Sequence, residues 1–439
     1  MTFDLSNLIF LIILFTSIFI FYKNLRKIFR NIRLGKGGVD SDNKKARWKR
    51  VFFIAFGQSK MFKKPLVAFL HLIVYLGFVI INIEIIEIII DGLFGTHRVL
   101  SFMGTFYNFL IGSFEVLAFL VLLACIIFLI RRNIIRIKRF WGSEMKGWPT
   151  MDGNLILIFE ILLMSAFLFM DAADLVLQDK DPSHYYKVGS FPISSFLTPL
   201  ISDFSINSLI FIERFCWWFH IIGILGFLNY LAISKHLHIL LAFPSTYYSK
   251  LNPKGEFANM DSVTKEVKIM LDPNADPFSQ PVDTNPVRFG AKDVKDLNWL
   301  QLLNSYSCTE CGRCTSECPA NFTGKKLSPR KIMMDVRDRL EEVGRGIDKN
   351  GADFSDEKTL LGDYIKPEEL WACTSCNACV EACPINIDPL SIIIDLRRYA
   401  VMEESAAPSE LNSVFSNIEN NGAPWPFPSA ERLKWKDDE

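Results

Sequence analysis

The first 243 residues alternate between long apolar runs and short polar stretches, and the rest of the chain is mostly polar. About 20 consecutive apolar residues are enough to cross the hydrocarbon core as a helix. Five runs qualify: Leu5 to Tyr22, Pro65 to Ile90, Phe106 to Ile130, Leu155 to Met170, and Leu209 to Leu231 with an extension to Phe243. The fourth is the shortest. Residues 244–292 hold a stretch rich in Pro, Asp and Asn with little periodicity, and read as a linker packed over the membrane part. A short helix is expected over Asp293–Leu303. Ser328 and Pro329 then cap and start another, which carries Ile332, Met333, Val336 and Leu340 at helical spacing to Val343. Gly344 and Gly346 are expected to end it, and residues 347–366 to form a polar loop. Pro367–Trp371 and Pro389–Met402 are the last predicted helical segments of a polar domain over 293–402. Residues 403–439 form a polar tail, with Trp425 and Trp435 as anchors on a partner.

Charge gives the spans a direction. The segment Lys23–Lys64 holds 14 Lys/Arg against two Asp, and Arg131–Thr150 holds six against one Glu. The loops Asp91–Thr105 and Ala173–Ser208 carry few cations. The positive-inside rule places the N-terminus outside and the polar C-terminal part in the cytoplasm. The first helix is not a cleavable signal, because its basic residues follow the apolar run. The same rule accounts for the basic 23–64 segment, so no nucleic-acid partner is needed. Overall the chain is 50% hydrophobic with a formal net charge of +0, a total that hides this segregation.

Eight of the ten cysteines form two copies of C-x2-C-x2-C-x3-C-P: Cys308, Cys311, Cys314, Cys318 with Pro319, and Cys373, Cys376, Cys379, Cys383 with Pro384. That run is the bacterial two-cluster ferredoxin pattern, in which the fourth cysteine ligates the other cluster. It assigns Cys308, Cys311, Cys314 and Cys383 to one [4Fe–4S] cluster, and Cys373, Cys376, Cys379 and Cys318 to the second. Structural zinc and disulfides are the alternatives. The doubled eight-ligand pattern with both prolines argues against zinc, and a cytoplasmic location against disulfides. The expected fold is thus mainly α, a five-helix transmembrane bundle followed by an α-helical dicluster ferredoxin domain. Cys125 and Cys216 lie in predicted spans and read as core packing.

The six histidines add a second chemistry. His71 lies seven residues inside Lys64, about 10 Å deep along a helix. His220 and His238 are 18 residues apart, five turns of one continuous helix, and would point the same way about 27 Å apart. Neutral imidazole is a common axial haem ligand, and ionisable groups inside a bilayer are usually functional. His71 and His238 are the favoured haem ligands, and His220 is a further candidate. His236, beside Lys235, reads as interfacial with a smaller claim. His97 and His184 fall in outer loops and read as solvated. Among carboxylates, Glu84, Glu87 and Asp91 share one helix face, either as proton relays or as partners of Arg98. Glu160 lies in the fourth span. Glu115, deep in the third, is the preferred proton or quinone group. Arg131 and Arg132 sit at the inner edge, where they could pair with haem propionates or simply snorkel.

Helix five, with H-I-I-G-I-L-G-F-L and S-K-H-L-H-I, resembles that of the cytochrome b (gamma) subunit of respiratory nitrate reductase. The segments G-Q-S-K-M-F, H-L-I-V-Y-L-G-F, F-G-A-K-D-V-K-D, S-Y-S-C-T-E-C-G-R-C, K-L-S-P-R-K and L-W-A-C-T-S-C-N-A-C-V-E-A-C-P resemble membrane iron–sulfur oxidoreductases of the heterodisulfide-reductase type. That group includes electron-transfer-flavoprotein:menaquinone oxidoreductases. The resemblance implies a haem b held by His71 and His238. It would pair His220 with a second helix-two histidine for another haem, but Ile81 stands there, so one haem is implied and a second is left open. It implies a menaquinone partner and an electron-transferring flavoprotein. Full-length relatives continue into domains with paired CC motifs, which this chain would meet as a separate iron–sulfur protein. The expected function is a quinone-linked oxidoreductase subunit of the bacterial cytoplasmic (inner) membrane. It would carry electrons between a cytoplasmic donor, two [4Fe–4S] clusters, haem b and quinone. The alternatives are a quinol-linked heterodisulfide- or sulfite-type complex and a cluster-bearing membrane assembly or maturation factor. No Gly-rich dinucleotide loop, P-loop or nucleophile triad points elsewhere.

Overall fold

The computed structural model describes residues 4–37, 42–274 and 288–437. The chain is mainly α, and among the described residues the only β pairings are two isolated bridges. Five helices are long and apolar enough to cross a membrane: α1 Leu5–Ile32, α2 Pro65–Phe94, α3 Thr105–Asn133, α4 Trp148–Lys180 and α5 Ile206–Leu231. The shortest has 26 residues, about 39 Å at the helical rise and more than the hydrocarbon core needs. Their surfaces reverse the usual soluble pattern. Phe211, Phe215 and Phe219 stack along one exposed face of α5, with successive ring centroids 6.1 Å apart. Such a face suits lipid. Polar groups such as Glu115, Asp171 and His220 are enclosed between helices instead.

Each span but α5 runs past its predicted end, and the reasons are tertiary. The fourth run, expected at Leu155–Met170, is the longest helix at 33 residues. Its added turns carry Asp152, Asp171 and Asp174, all buried and all partnered across the bundle. Helix α1, expected to stop at Tyr22, continues to Ile32 and leaves the bundle to brace the C-terminal domain. There Ile28 and Ile32 join the same core as Leu302, Leu340 and Leu396.

The expected continuous helix to Phe243 is a correction. Helix α5 ends at Leu231, a 3-10 turn covers Lys235–Leu237, and α6 runs from His238 to Tyr248. Ser234 Oγ accepts the His236 N–H at 2.9 Å, and Asp152 of α4 accepts the Lys235 N–H at 3.1 Å. Two donors that a continuous helix would satisfy internally are held by side chains instead. The register that set His220 and His238 on one straight face therefore does not exist.

The described part of the 244–292 region is more ordered than a linker. Ser245 on α6 is buried and donates to Asn304 Oδ1 at 2.7 Å. Helix α7, Asp261–Leu271, lies exposed beyond it, and residues 275–287 lie outside the described residues. The C-terminal domain is built on α8 Trp299–Ser307, α9 Pro329–Asn350 and α10 Pro389–Met402. Asn298 caps α8 by accepting the Gln301 N–H at 2.9 Å. Helix α9 is expected to end at Gly344 but passes through both glycines to Asn350. A Cβ on Gly344 would lie 2.5 Å from the Asn31 side chain, so this glycine serves the close approach of α1. Arg30 Nη2 donates to the Gly344 carbonyl at 2.9 Å, and Asn31 donates to Tyr306 Oη at 3.0 Å. The predicted 347–366 loop contributes Leu360, Leu361 and Ile365 to the core. In the tail, α11 Ser409–Asn421 is exposed, as are Trp425 and Trp435.

Candidate metal centre and membrane cavity

The two cysteine runs fold as matching loops. In the first, Glu310 and Gly312 take left-handed backbone, with φ of +54° and +71°. In the second, Ser375 and Asn377 do the same at the equivalent places, with φ of +57° and +59°. These turns wrap each loop inward, and Gly and Asn adopt them most readily. Each run ends in a helical turn, Arg313–Ser316 or Ala378–Ala382. Backbone donors point at sulfur: Ser375 N–H to Cys373 Sγ at 3.4 Å, and Ile387 N–H to Cys383 Sγ at 3.3 Å.

The fourth cysteine of each run lies among thiols of the other. Cys383 lies beside Cys308, Cys311 and Cys314, while Cys318 lies beside Cys373 and Cys379. Burial pushes the Cys308 thiol up to about 12 and Cys383 up to about 11. Such a crowd of buried thiols suits ligation by iron, which stabilises the thiolate form. The eight-thiol donor set, in two runs that exchange their fourth cysteine, fits two [4Fe–4S] clusters.

Between the first loop and the membrane helices lies a cavity of about 460 Å³, within the range of cofactor sites. It is lined by His71 of α2, His220 of α5, His236 in the 3-10 turn and His238 of α6. Cys308, Cys311, Cys314 and Cys383 line it from the other side. His71 lies near both His238 and His236, and the His236 and His238 ring centroids are 5.4 Å apart. The break after α5 thus turns His236 towards the cavity, beside His71 and His238.

Three of these rings are fixed through Nδ1. His71 contacts Gln58 Oε1 at 3.0 Å, His220 the Leu163 carbonyl at 3.0 Å, and His238 the Lys235 carbonyl at 3.2 Å. Among the described residues no hydrogen bond is made by the Nε2 atom of any of the three. A ring held this way offers Nε2 as a metal ligand. The remaining lining is largely apolar and includes Ile81, with Arg131 and Arg132 also present. The donor set and cavity fit a haem. Gln58, buried in the turn before α2 with φ +49°, was not singled out from the sequence. Only the G-Q-S-K-M-F segment pointed near it.

Glu115 does not line the cavity; its Oε2 accepts the Ile193 and Ser194 N–H groups at 2.9 and 3.3 Å in the segment between α4 and α5. Glu160 is the membrane carboxylate that does line it. The α2 carboxylates also lie at the far end of the bundle. Glu87 accepts from Tyr107 Oη at 2.9 Å and Leu100 N–H at 2.8 Å, and Asp91 accepts from the Arg98 N–H at 2.7 Å. The Arg98 guanidinium pairs with Asp171 at 2.9 Å and Asp174 at 2.6 Å on α4, rather than with α2. His97 is half-buried against Tyr185, ring centroids 5.5 Å apart, whereas His184 is exposed as expected.

A 4Fe-4S dicluster domain family matches residues 307–387. The "Probable iron-sulfur-binding oxidoreductase FadF" of Bacillus subtilis is 29% identical over 99% of this chain and 61% of its own length. The "EtfAB:quinone oxidoreductase" of Syntrophomonas wolfei is 27% identical over 92% of this chain and 56% of its own. The "Probable membrane-anchored ferredoxin" of Chromohalobacter salexigens is 33% identical over 36% of this chain and 25% of its own. The chain thus spans about three-fifths of the length of the first two relatives. No solved structure matches. The C-terminal part carries a 4Fe-4S dicluster domain, and of the three relatives two are named oxidoreductases, one of them iron-sulfur-binding, and the third a ferredoxin.

Proposed function

We propose that this chain is the membrane electron-transfer part of a quinone-linked oxidoreductase. The observation that carries the reading is the single cavity shared by His71, His236 and His238 with Cys308, Cys311 and Cys383. A haem b and a first [4Fe–4S] cluster bound here, with a second cluster in the neighbouring cysteine loop, would supply one-electron carriers between the polar domain and the bilayer. Cys308, Cys311, Cys314 and Cys383 would hold the first cluster, and Cys373, Cys376, Cys379 and Cys318 the second. His71 and His238 are the favoured axial ligands, with His236 next to them and His220 deeper on α5. Gln58 and the Lys235 carbonyl orient the rings, and Arg131 and Arg132 offer charge to haem propionates.

Cys376 is the one exposed cysteine of the eight, which favours the second loop as the side offered to a protein partner. An electron-transferring flavoprotein, or an iron–sulfur protein with paired CC motifs, fits that role, with menaquinone as the membrane partner. The basic inner loops favour a cytoplasmic C-terminal domain and an outer N-terminus in a bacterial inner membrane. Flow towards quinone is the preferred direction, in line with the name of the Syntrophomonas relative.

The test is purification from solubilised membranes with iron, sulfide and haem analysis. His71→Ala should lose the b-type absorbance and keep both clusters. Zinc in place of iron, or a b-type band retained in His71→Ala, overturns the reading.

A further inference from the structure

The two cysteine loops match in backbone but differ in what holds their left-handed turns. Glu310, between Cys308 and Cys311, is buried with φ +54°. Its Oε2 pairs with Lys235 Nζ at 2.5 Å and its Oε1 with Arg337 Nη1 at 2.7 Å. Ser375, at the equivalent place in the second loop, has no charged partner among the described residues. The difference follows position: the first loop faces the membrane bundle, and the second faces outward. Lys235 itself is tied down three ways. Its Nζ donates to the Pro149 carbonyl at 2.6 Å, its N–H to Asp152 Oδ2 at 3.1 Å, and its own carbonyl meets His238 Nδ1 at 3.2 Å. Tyr230 Oη completes the group on Asp152.

We propose that Lys235 and Glu310 are a positioning pair that registers the first cysteine loop on the membrane cavity and sets the charge felt by the redox centre in that loop. The proposal rests on reading Cys308, Cys311, Cys314 and Cys383 as cluster ligands. Neither residue touches a reacting atom; each acts through its neighbours. Lys235 joins the two halves because one residue carries both contacts: its carbonyl orients His238 and its ammonium fixes Glu310. Asp152, Glu310, Lys235 and Arg337 sum to zero, so this group of four adds no net charge beside the loop. Removing one member leaves a buried unit charge there, in a medium where such a charge acts strongly. A salt bridge that only fastened the domain junction would lower stability whichever member is lost. A pair that sets the charge at the loop shifts the potential of the first centre in opposite directions in the two single variants and spares the second.

The experiment is a redox titration of the purified full chain followed by electron paramagnetic resonance. The two cluster signals are assigned by Cys311→Ser and Cys376→Ser. Lys235→Met should make the first cluster harder to reduce, and Glu310→Gln should make it easier. Each should change its reduced-to-oxidised ratio at fixed potential by about tenfold, or about 59 mV for a one-electron couple. The double variant Lys235→Met with Glu310→Gln, and Lys235→Arg alone, should lie near the unmodified protein. The second cluster should not move in any of them. If both clusters are present and neither single variant shifts the first, or if both clusters shift together, the proposal is overturned. If Lys235→Met does not accumulate, Glu310→Gln and Lys235→Arg decide the matter alone. Absence of iron from the unmodified protein would instead defeat the functional reading beneath it.

Discussion

Arg98 ties polar groups of three helices together at one end of the membrane bundle. Its guanidinium reaches Asp171 at 2.9 Å and Asp174 at 2.6 Å, and its Nη1 meets Tyr107 Oη at 3.2 Å. Both aspartates are almost fully enclosed, at 0% and 1% exposure. Arg98→Met keeps the aliphatic stem and deletes the cation. It strands two buried carboxylates, and breaking a buried pair from one side costs about 3–5 kcal/mol. At about 2–4 °C per kcal/mol for a mid-sized domain, the melting temperature should fall by roughly 6–20 °C. The assay is thermal unfolding of the detergent-solubilised chain, with cofactor content measured in parallel. Adding Asp171→Asn and Asp174→Asn to Arg98→Met should recover most of the loss, because neutral amides leave no stranded charge. Cofactor content at low temperature should be unchanged, since the cavity lies at the other end of the bundle. A loss under about 1 kcal/mol, or no recovery in the triple variant, would refute the argument from charge.

Three further outcomes are expected. Gly344→Val should destabilise the chain by about 1–3 kcal/mol, because its Cβ would overlap Asn31 of α1, and protease sensitivity of the α1–α9 junction reports it. Gln58→Leu removes the Nδ1 partner of His71 and should weaken haem retention about 10–100-fold, read as the haem-to-protein ratio after dialysis. Glu144 pairs with Arg330 at 2.6 Å; burial pushes its carboxyl up, but the Arg330 and Ser328 hydrogen bonds outweigh that and hold it below its ordinary range. A carboxyl depressed in the folded state stabilises above its unfolded pKa of about 4.3, and that contribution is lost as pH falls through the lower folded value. Glu144→Gln should therefore be less stable than the unmodified chain at pH about 7, and the gap should close in acid; a gap independent of pH would contradict it.

Local regularities carried most of the architecture into the sequence. Apolar run length marks a membrane helix whatever surrounds it, so all five spans could be placed. Ligand spacing marks a cysteine loop because three thiols two residues apart can face one centre, and α10 was bounded by its own Pro389 and Met402. The helix ends were harder. In a bilayer both the lipid face and the core face are apolar, so periodicity does not tell them apart. Buried carboxylates such as Asp152 and Asp171 read as boundaries until their partners are known.

What only the tertiary structure decided are contacts between residues far apart in the chain. Asp152 and Ser234 break the fifth helix and bring His236 towards His71. The segment between α4 and α5 claims Glu115, and Asn31 makes Gly344 a packing site instead of a stop. Lys235 finds Glu310 seventy-five residues away. A local pattern is written in neighbouring residues and survives any fold, but the partner of a buried charge, or the occupant of a gap beside a glycine, is fixed only when distant segments meet.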